Sequence, residues 1–369
     1  MDADTIEPMV VPASAAGARS ASGRRRGLWL GLPFLMLLLG LPGFLNVDLP
    51  YFAISPGSSR PVDELVHAPV DKLHPPKGQV LYATVSLGPV KPLQFLQAKL
   101  DRNTDIVGAR DVLGRSQPKQ FRQENLQAMD DSKQSAIVLA LRRLGYTVGE
   151  HGSGTLVSLV QKSAPASDHL HQGDVITAID DAPTSLSRLA VEAIHAHHPG
   201  DSVTLTVTGP DGGKRNERVT LGHQPGNTVA FLGVLLQTKD QKFDLPFDVT
   251  IDTFNIGGPS AGLAFTLAVL DELSPGELTG AHKVAVTGTI DLDGTVGPVG
   301  GVAQKTAAVC AAGAEYFLVP PDEFKVAKQH ACKRLKVIRV STLDQAISVL
   351  GGIGGDVSAL GPVAIGAKG

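Results

Sequence analysis

At 369 residues the chain is too long for one small domain, and about 100–200 residues per domain gives two or three. A composition of 43% hydrophobic and 19% charged residues, with 41 Gly and 25 Pro, excludes a disordered, collagenous or coiled-coil chain. A net charge of −3 and 5% aromatics argue against a nucleic-acid partner, and two Cys exclude a disulfide scaffold or a four-thiolate zinc site.

Residues 1–27 are rich in Ala, Ser, Gly and Arg and read as a disordered cytoplasmic tail ending in Arg24, Arg25 and Arg26. Leu28 to Leu45 follows, 18 residues without a charge. As a helix it would span about 27 Å, close to a hydrocarbon core of about 30 Å. The flank Pro42-Gly43-Phe44-Leu45-Asn46 lacks an Ala-x-Ala cleavage pattern, so an uncleaved transmembrane anchor is expected rather than a signal peptide. The arginines should stay cytoplasmic, which places the rest of the chain outside the cytoplasm, at a single-pass membrane location.

Residues 46–145 show no polar constellation that demands chemistry and read as scaffold and linker. Gln79 to Leu87 alternates like a strand. Glu124 to Leu144 reads as a helix, with Leu126, Met129, Ala136, Ile137, Ala140, Leu141 and Leu144 near one face and Gly145 as its C-cap.

Residues 146–223 alternate strands with turns. Thr155 to Val160 is a strand, and Leu170-His171-Gln172-Gly173-Asp174-Val175-Ile176 is a tight turn entering another. Ser185 to His197 is a short amphipathic helix with Ser185 as N-cap, and Pro199-Gly200-Asp201 leads into the strand Ser202 to Thr208. This run resembles a PDZ domain, carried by L-x-x-G-D-x-I-x-x-I-D and P-G-D-x-V-x-L-x-V. The resemblance implies a module that binds peptide C-termini by strand addition, with backbone N–H groups holding the carboxylate. Gly145, Tyr146, Thr147 and Val148 are the candidate carboxylate loop, with an ordinary helix-to-strand turn as the alternative. His195, His197 and His198 read as solvated histidines suiting the helix dipole rather than metal ligands, and no metal or other cofactor is expected.

The remaining domain, residues 224–350, has an α/β pattern. Val249 to Phe254 reads as a strand, and Leu263 to Leu273 as a buried helix. Val284 to Val286 and Tyr316 to Val319 are short strands, and Val302 to Ala312 is a helix carrying Lys305 and capped by Gly313. Ser260 stands at a strand-to-helix turn, where free backbone donors and the helix dipole favour an oxyanion. Gly257, Gly258, Pro259 and Ala261 form the substrate and oxyanion region around it. Gly258-Pro259-Ser260-Ala261-Gly262 also fits the G-x-S-x-G elbow of α/β-hydrolases, with Asp291, Asp293 or Asp322 and His330 as the downstream partners.

G-P-S-A-G-L followed by T-G-x-I-x-L-x-G-x-V-x-P-V-G-G-x-x-x-K is similar to the Lon-type serine peptidase domain. The resemblance implies that Ser260 is the nucleophile, Lys305 the general base of a Ser–Lys dyad, and Thr287 a support for the lysine. It also implies a small mixed α/β domain of the ribosomal-protein type, often in a hexameric ring. A base must be neutral, yet only about 1 in 2,500 free lysines is neutral at pH 7, so burial has to lower the Lys305 pKa. Val299, Val302, Ala303, Ala307 and Ala308 around it are small or apolar.

The chain has no G-x-x-x-x-G-K-[ST], so ATP-driven unfolding is not expected. Anchor, PDZ and Lon-like domain in this order resemble the membrane-anchored PDZ-containing Lon-like proteases, as do Ala128 to Gln134 and Ala140 to Tyr146. The expected fold class is α/β (α+β), with an ATP-independent endopeptidase acting on extracytoplasmic polypeptides. The rival is a non-catalytic PDZ scaffold. Cys310 and Cys332 either pair or remain core thiols, and residues 351–369 read as a flexible tail.

Overall fold

The computed structural model describes residues 45–223, 226 and 228–360. The tail, the anchor segment up to residue 44 and residues 361–369 lie outside these. Among the described residues no helix is long and apolar enough to cross a membrane.

The chain opens with β1 (Tyr51–Pro61), β2 (Gln79–Pro89), helix α1 (Pro92–Leu100), β3 (Asp105–Gly108) and the long helix α2 (Pro118–Arg143). An inserted β module follows: β4 (Gly154–Val160), β5 (Val175–Ile179), α3 (Ser187–His195), β6 (Ser202–Thr208), β7 (Lys214–Thr220) and β8 (Val234–Lys239). The last stretch holds α4 (Gly262–Leu273), β9 (Lys283–Val286), α5 (Val302–Ala312), β10 (Tyr316–Val319), α6 (Phe324–His330), β11 (Lys336–Arg339) and α7 (Leu343–Gly352).

The first and last stretches build one sheet, ordered β11-β10-β9-β2-β1-β3. Residues 46–145 are therefore no separate scaffold. Their β2 pairs parallel to β9, with Gln79 opposite Lys283 and Tyr82 opposite Val286. Alternation sorts the strand residues to two faces. Val80, Tyr82, Val284, Val286 and Leu318 face a core shared with α2, α4 and α7. Leu81, Ala83, Ala285, Phe317 and Val319 face a second core shared with α5 and α6. Helices thus cover both faces, which explains the unbroken apolar runs of β9 and β10. Every residue of α4 is buried, as its largely apolar sequence favours, with Asp271 and Glu272 at its far end included.

The inserted module is a sheet ordered β7-β6-β5-β4-β8 with its own core. Two connectors join it to the larger domain, where Gly149–His151 pairs antiparallel with Lys242–Asp244.

Several local expectations change. Of Val249–Phe254 only Thr250–Ile251 is paired, to Val66–His67. The α3 helix is capped by Leu186 without a side-chain hydrogen bond, so Ser185 is not its cap. Residues 351–360 are not a loose tail: α7 runs to Gly352, Asp356 N donates to Glu277 O (2.8 Å), and Leu360 is 9% exposed. Apolar burial of Val357 and Leu360 against the core holds this segment down. Cys310 and Cys332 form a disulfide, with Cα atoms 5.9 Å apart.

Candidate active site

Ser260 lies half-buried in the turn before α4, on the α2/α4 side of the sheet. Lys305 sits on α5, on the opposite side. The two layers meet at Thr287, the first residue past β9, at the carboxyl end of a central strand. Ligands in open α/β sheets gather at such ends.

Thr287 is fully buried and its Oγ1 donates to Ser260 O (3.1 Å). The same Oγ1 accepts from Lys305 Nζ (3.2 Å). Gly288 N also donates to Ser260 O (3.0 Å), and Leu263 N returns to Gly288 O (3.1 Å). The Thr-Gly pair therefore clamps the serine backbone while holding the lysine head. Lys305 is 2% exposed. Burial brings its pKa down to about 8, against the opposing charge of Glu323. Among the described residues no hydrogen bond joins Ser260 Oγ to Lys305 Nζ. Such contacts tighten in substrate complexes.

The turn amides differ in what they do. Gly258 N donates to Asn125 O (2.8 Å) and Gly262 N to Pro259 O (3.2 Å). Those of Ser260 and Ala261 make no hydrogen bond among the described residues. They are the available donors for an oxyanion. Gly258 has φ +97°, a conformation that favours glycine.

Two positioning residues escaped the sequence reading. Ser132 Oγ donates to Pro259 O (3.1 Å), and Asn125 receives Gly258 N, so α2 fixes the turn from beneath. Ser132 falls in the stretch Ala128 to Gln134 that resembles the family; Asn125 does not. His330, partner of the hydrolase-elbow alternative, bonds Val326 O (3.0 Å) on its own helix and is exposed.

Gly145, Thr147 and Val148, with Tyr146, do not line a groove of the inserted sheet. Gly145 (φ +85°) ends α2, with its N–H on Arg142 O, and Tyr146 N returns to Leu141 O. Tyr146 stacks edge-on against Phe247 at 5.1 Å, and Val148 is buried in the core of the larger domain. Thr147 lies between them, so Gly145 to Val148 is a helix-to-strand turn and no peptide cradle. The inserted sheet has two edges, β7 and β8; among the described residues β8 pairs only with β4 and runs beside α3. Ser187 N donates to Thr238 Oγ1 (3.0 Å) across that groove. Just before β8, Leu232 and Gly233 have amides with no hydrogen bond among the described residues, and Gly233 has φ +84°. His197 Nε2 lies 3.1 Å from Asp180 Oδ2.

Residues 142–221 match the PDZ domain family, and residues 239–350 match the C-terminal proteolytic domain of Lon protease (S16). The Lon protease of Desulfatibacillum aliphaticivorans is 31% identical over 108 residues, 28% of this chain and 13% of that protein. Lon protease 2 of Thermus thermophilus is 34% identical over 118 residues, 31% of this chain and 14% of that protein. The crystal structure of the PDZ domain of the SdrC-like protein of Listeria monocytogenes is 27% identical, covers 23% of this chain and 87% of its own, and has a TM-score of 0.22. The chain spans under a fifth of the length of either Lon protease.

Proposed function

We propose that this chain, which carries a PDZ domain and a serine-peptidase domain of the Lon type, is a membrane-anchored endopeptidase that works without ATP. The observation that carries the reading is the link from Lys305 Nζ through Thr287 Oγ1 to the Ser260 backbone, with the lysine buried. Neutral Lys305 takes the Ser260 proton as Oγ bonds to the scissile carbonyl carbon. The displaced π electrons pass to oxygen, stabilised by the Ser260 and Ala261 amides. Collapse expels the amine, which takes the proton from the Lys305 ammonium. Water, activated by the same base, then releases the acyl group.

The groove between β8 and α3 captures peptide C-termini by strand addition, with Leu232 and Gly233 amides facing the carboxylate. Leu28 to Leu45 anchors the chain with both domains outside the cytoplasm. The Cys310–Cys332 disulfide supports that side of the membrane, since such bonds persist in oxidising compartments. Ring assembly, a hexamer by resemblance, belongs to the same proposal.

Ser260→Ala and Lys305→Ala should each abolish cleavage of an unfolded polypeptide, and retained cleavage in either would overturn the dyad. A serine-directed fluorophosphonate separates the scaffold alternative: folded protein left unlabelled at Ser260 would favour it.

A further inference from the structure

We infer that helix α1 lies against the lipid surface of the membrane that holds the chain. The inference rests on the anchor proposed above. Leu93, Leu96 and Leu100 recur at i, i+3 and i+7 and so form one stripe along α1. They are 55%, 61% and 86% exposed. No residue of α1 is buried. Phe95 ties the helix to the fold through the Tyr51 ring, 5.3 Å away.

The position of the stripe selects its occupant. Leu49 N donates to Val90 O (2.9 Å), and Lys91 Nζ donates to Asn46 Oδ1 (3.0 Å). The chain leaving the apolar segment at Leu45 is therefore bonded, one residue on, to the residue that caps α1. Val47 and Tyr51, 55% and 40% exposed, lie along the same path. Residues 91–122 hold seven basic and three acidic side chains, a net +4 that adds attraction to anionic lipids. A short apolar stripe flanked by Lys and Arg is the pattern of an interfacial helix. A second copy of the chain fits less well. A stable interface buries about 800 Å² per partner over about 20–30 residues, far more than three leucines of one short helix.

The test uses the full chain reconstituted in vesicles of phosphatidylcholine and phosphatidylglycerol with brominated acyl chains. A bimane probe is placed at Leu96→Cys, or at Asp211→Cys in the exposed β6–β7 turn as reference. The Leu96 probe should be blue-shifted and quenched by the bromines more than the Asp211 probe. The difference should be lost when Leu93→Ser and Leu100→Ser are added; both positions are exposed, so the core is untouched. Equal or absent quenching in a chain that survives carbonate washing overturns the placement of α1 and leaves the anchor standing. A blue shift without quenching points to a second copy and also overturns it. A chain washed off by carbonate removes the anchor, and this inference with it.

Discussion

Glu323 works against the burial of Lys305. Its Oε1 accepts from Val299 N (3.0 Å), while Oε2 is buried without a hydrogen-bond partner among the described residues. Burial lowers the lysine pKa to about 8 and the carboxylate charge pulls it back up. In the proposed mechanism neutral Lys305 is the working form, so kcat should rise with pH and level off above about 8. Glu323→Gln removes the charge that favours the ammonium, so the rise should move to lower pH. A pH–rate profile of the two proteins checks this, and a rise left in place or moved upward would show that the rate does not report Lys305. Ser260, Lys305 and Thr287 could be singled out from sequence because each sits in a motif of fixed spacing. Glu323 and Asn125 could not. They act through backbone atoms or through charge at a distance, and such roles leave no spacing to read.

At the scale of elements, α4 is held by close approach. A Cβ on Gly262 would come within 2.7 Å of Ser132 Oγ and 3.1 Å of Ile290 N. Gly262→Ala should therefore destabilise the fold by about 1–3 kcal/mol through overpacking. Adding Ser132→Ala should relieve part of that, although it also removes the Ser132 bond to Pro259 O. Urea midpoints of the single and double variants measure both effects, and a neutral Gly262→Ala would show that α4 can shift freely. Elements with local boundary signals were legible. Helix α5 is bracketed by Gly301 and Gly313, at φ +66° and +78°, and its expected bounds match. The partnership of β2 with β9 was not, because Gln79 and Lys283 meet only across the inserted module. The disulfide stayed open because Cys310 on α5 and Cys332 beyond α6 are brought together only by the packing of those helices. Gly145 and Gly233 both precede strands, and only the sheet order places Gly233, not Gly145, at an edge of the inserted sheet.

Across the whole molecule, the far end of α4 carries an electrostatic cost. Burial, reinforced by the charges of neighbouring carboxylates, raises Asp63, Asp271 and Glu272 to about 7. Asp271 is fully buried, and only its Oδ1 accepts a bond, from Leu278 N (2.8 Å). For a carboxyl group with a raised folded pKa, the folded state binds more protons than the unfolded one between about 4 and 7. Stability should therefore fall as pH rises through that window. Denaturant midpoints at pH 5 and pH 8 measure the drop, and Asp271→Asn should flatten it. A midpoint that rises with pH would count against these groups. Catalysis and stability thus pull in opposite directions with pH. The split of the larger domain around its insertion also orders events in time. In the proposed topology, the chain that follows the anchor presents β2 and α2 long before their partners β9 and α4 exist. The nucleophile gains its base only once Lys305 has emerged, after the whole peptide-binding module. On the proposed mechanism a half-made chain would lack its base, so the order of emergence would delay cleavage until the larger domain is complete.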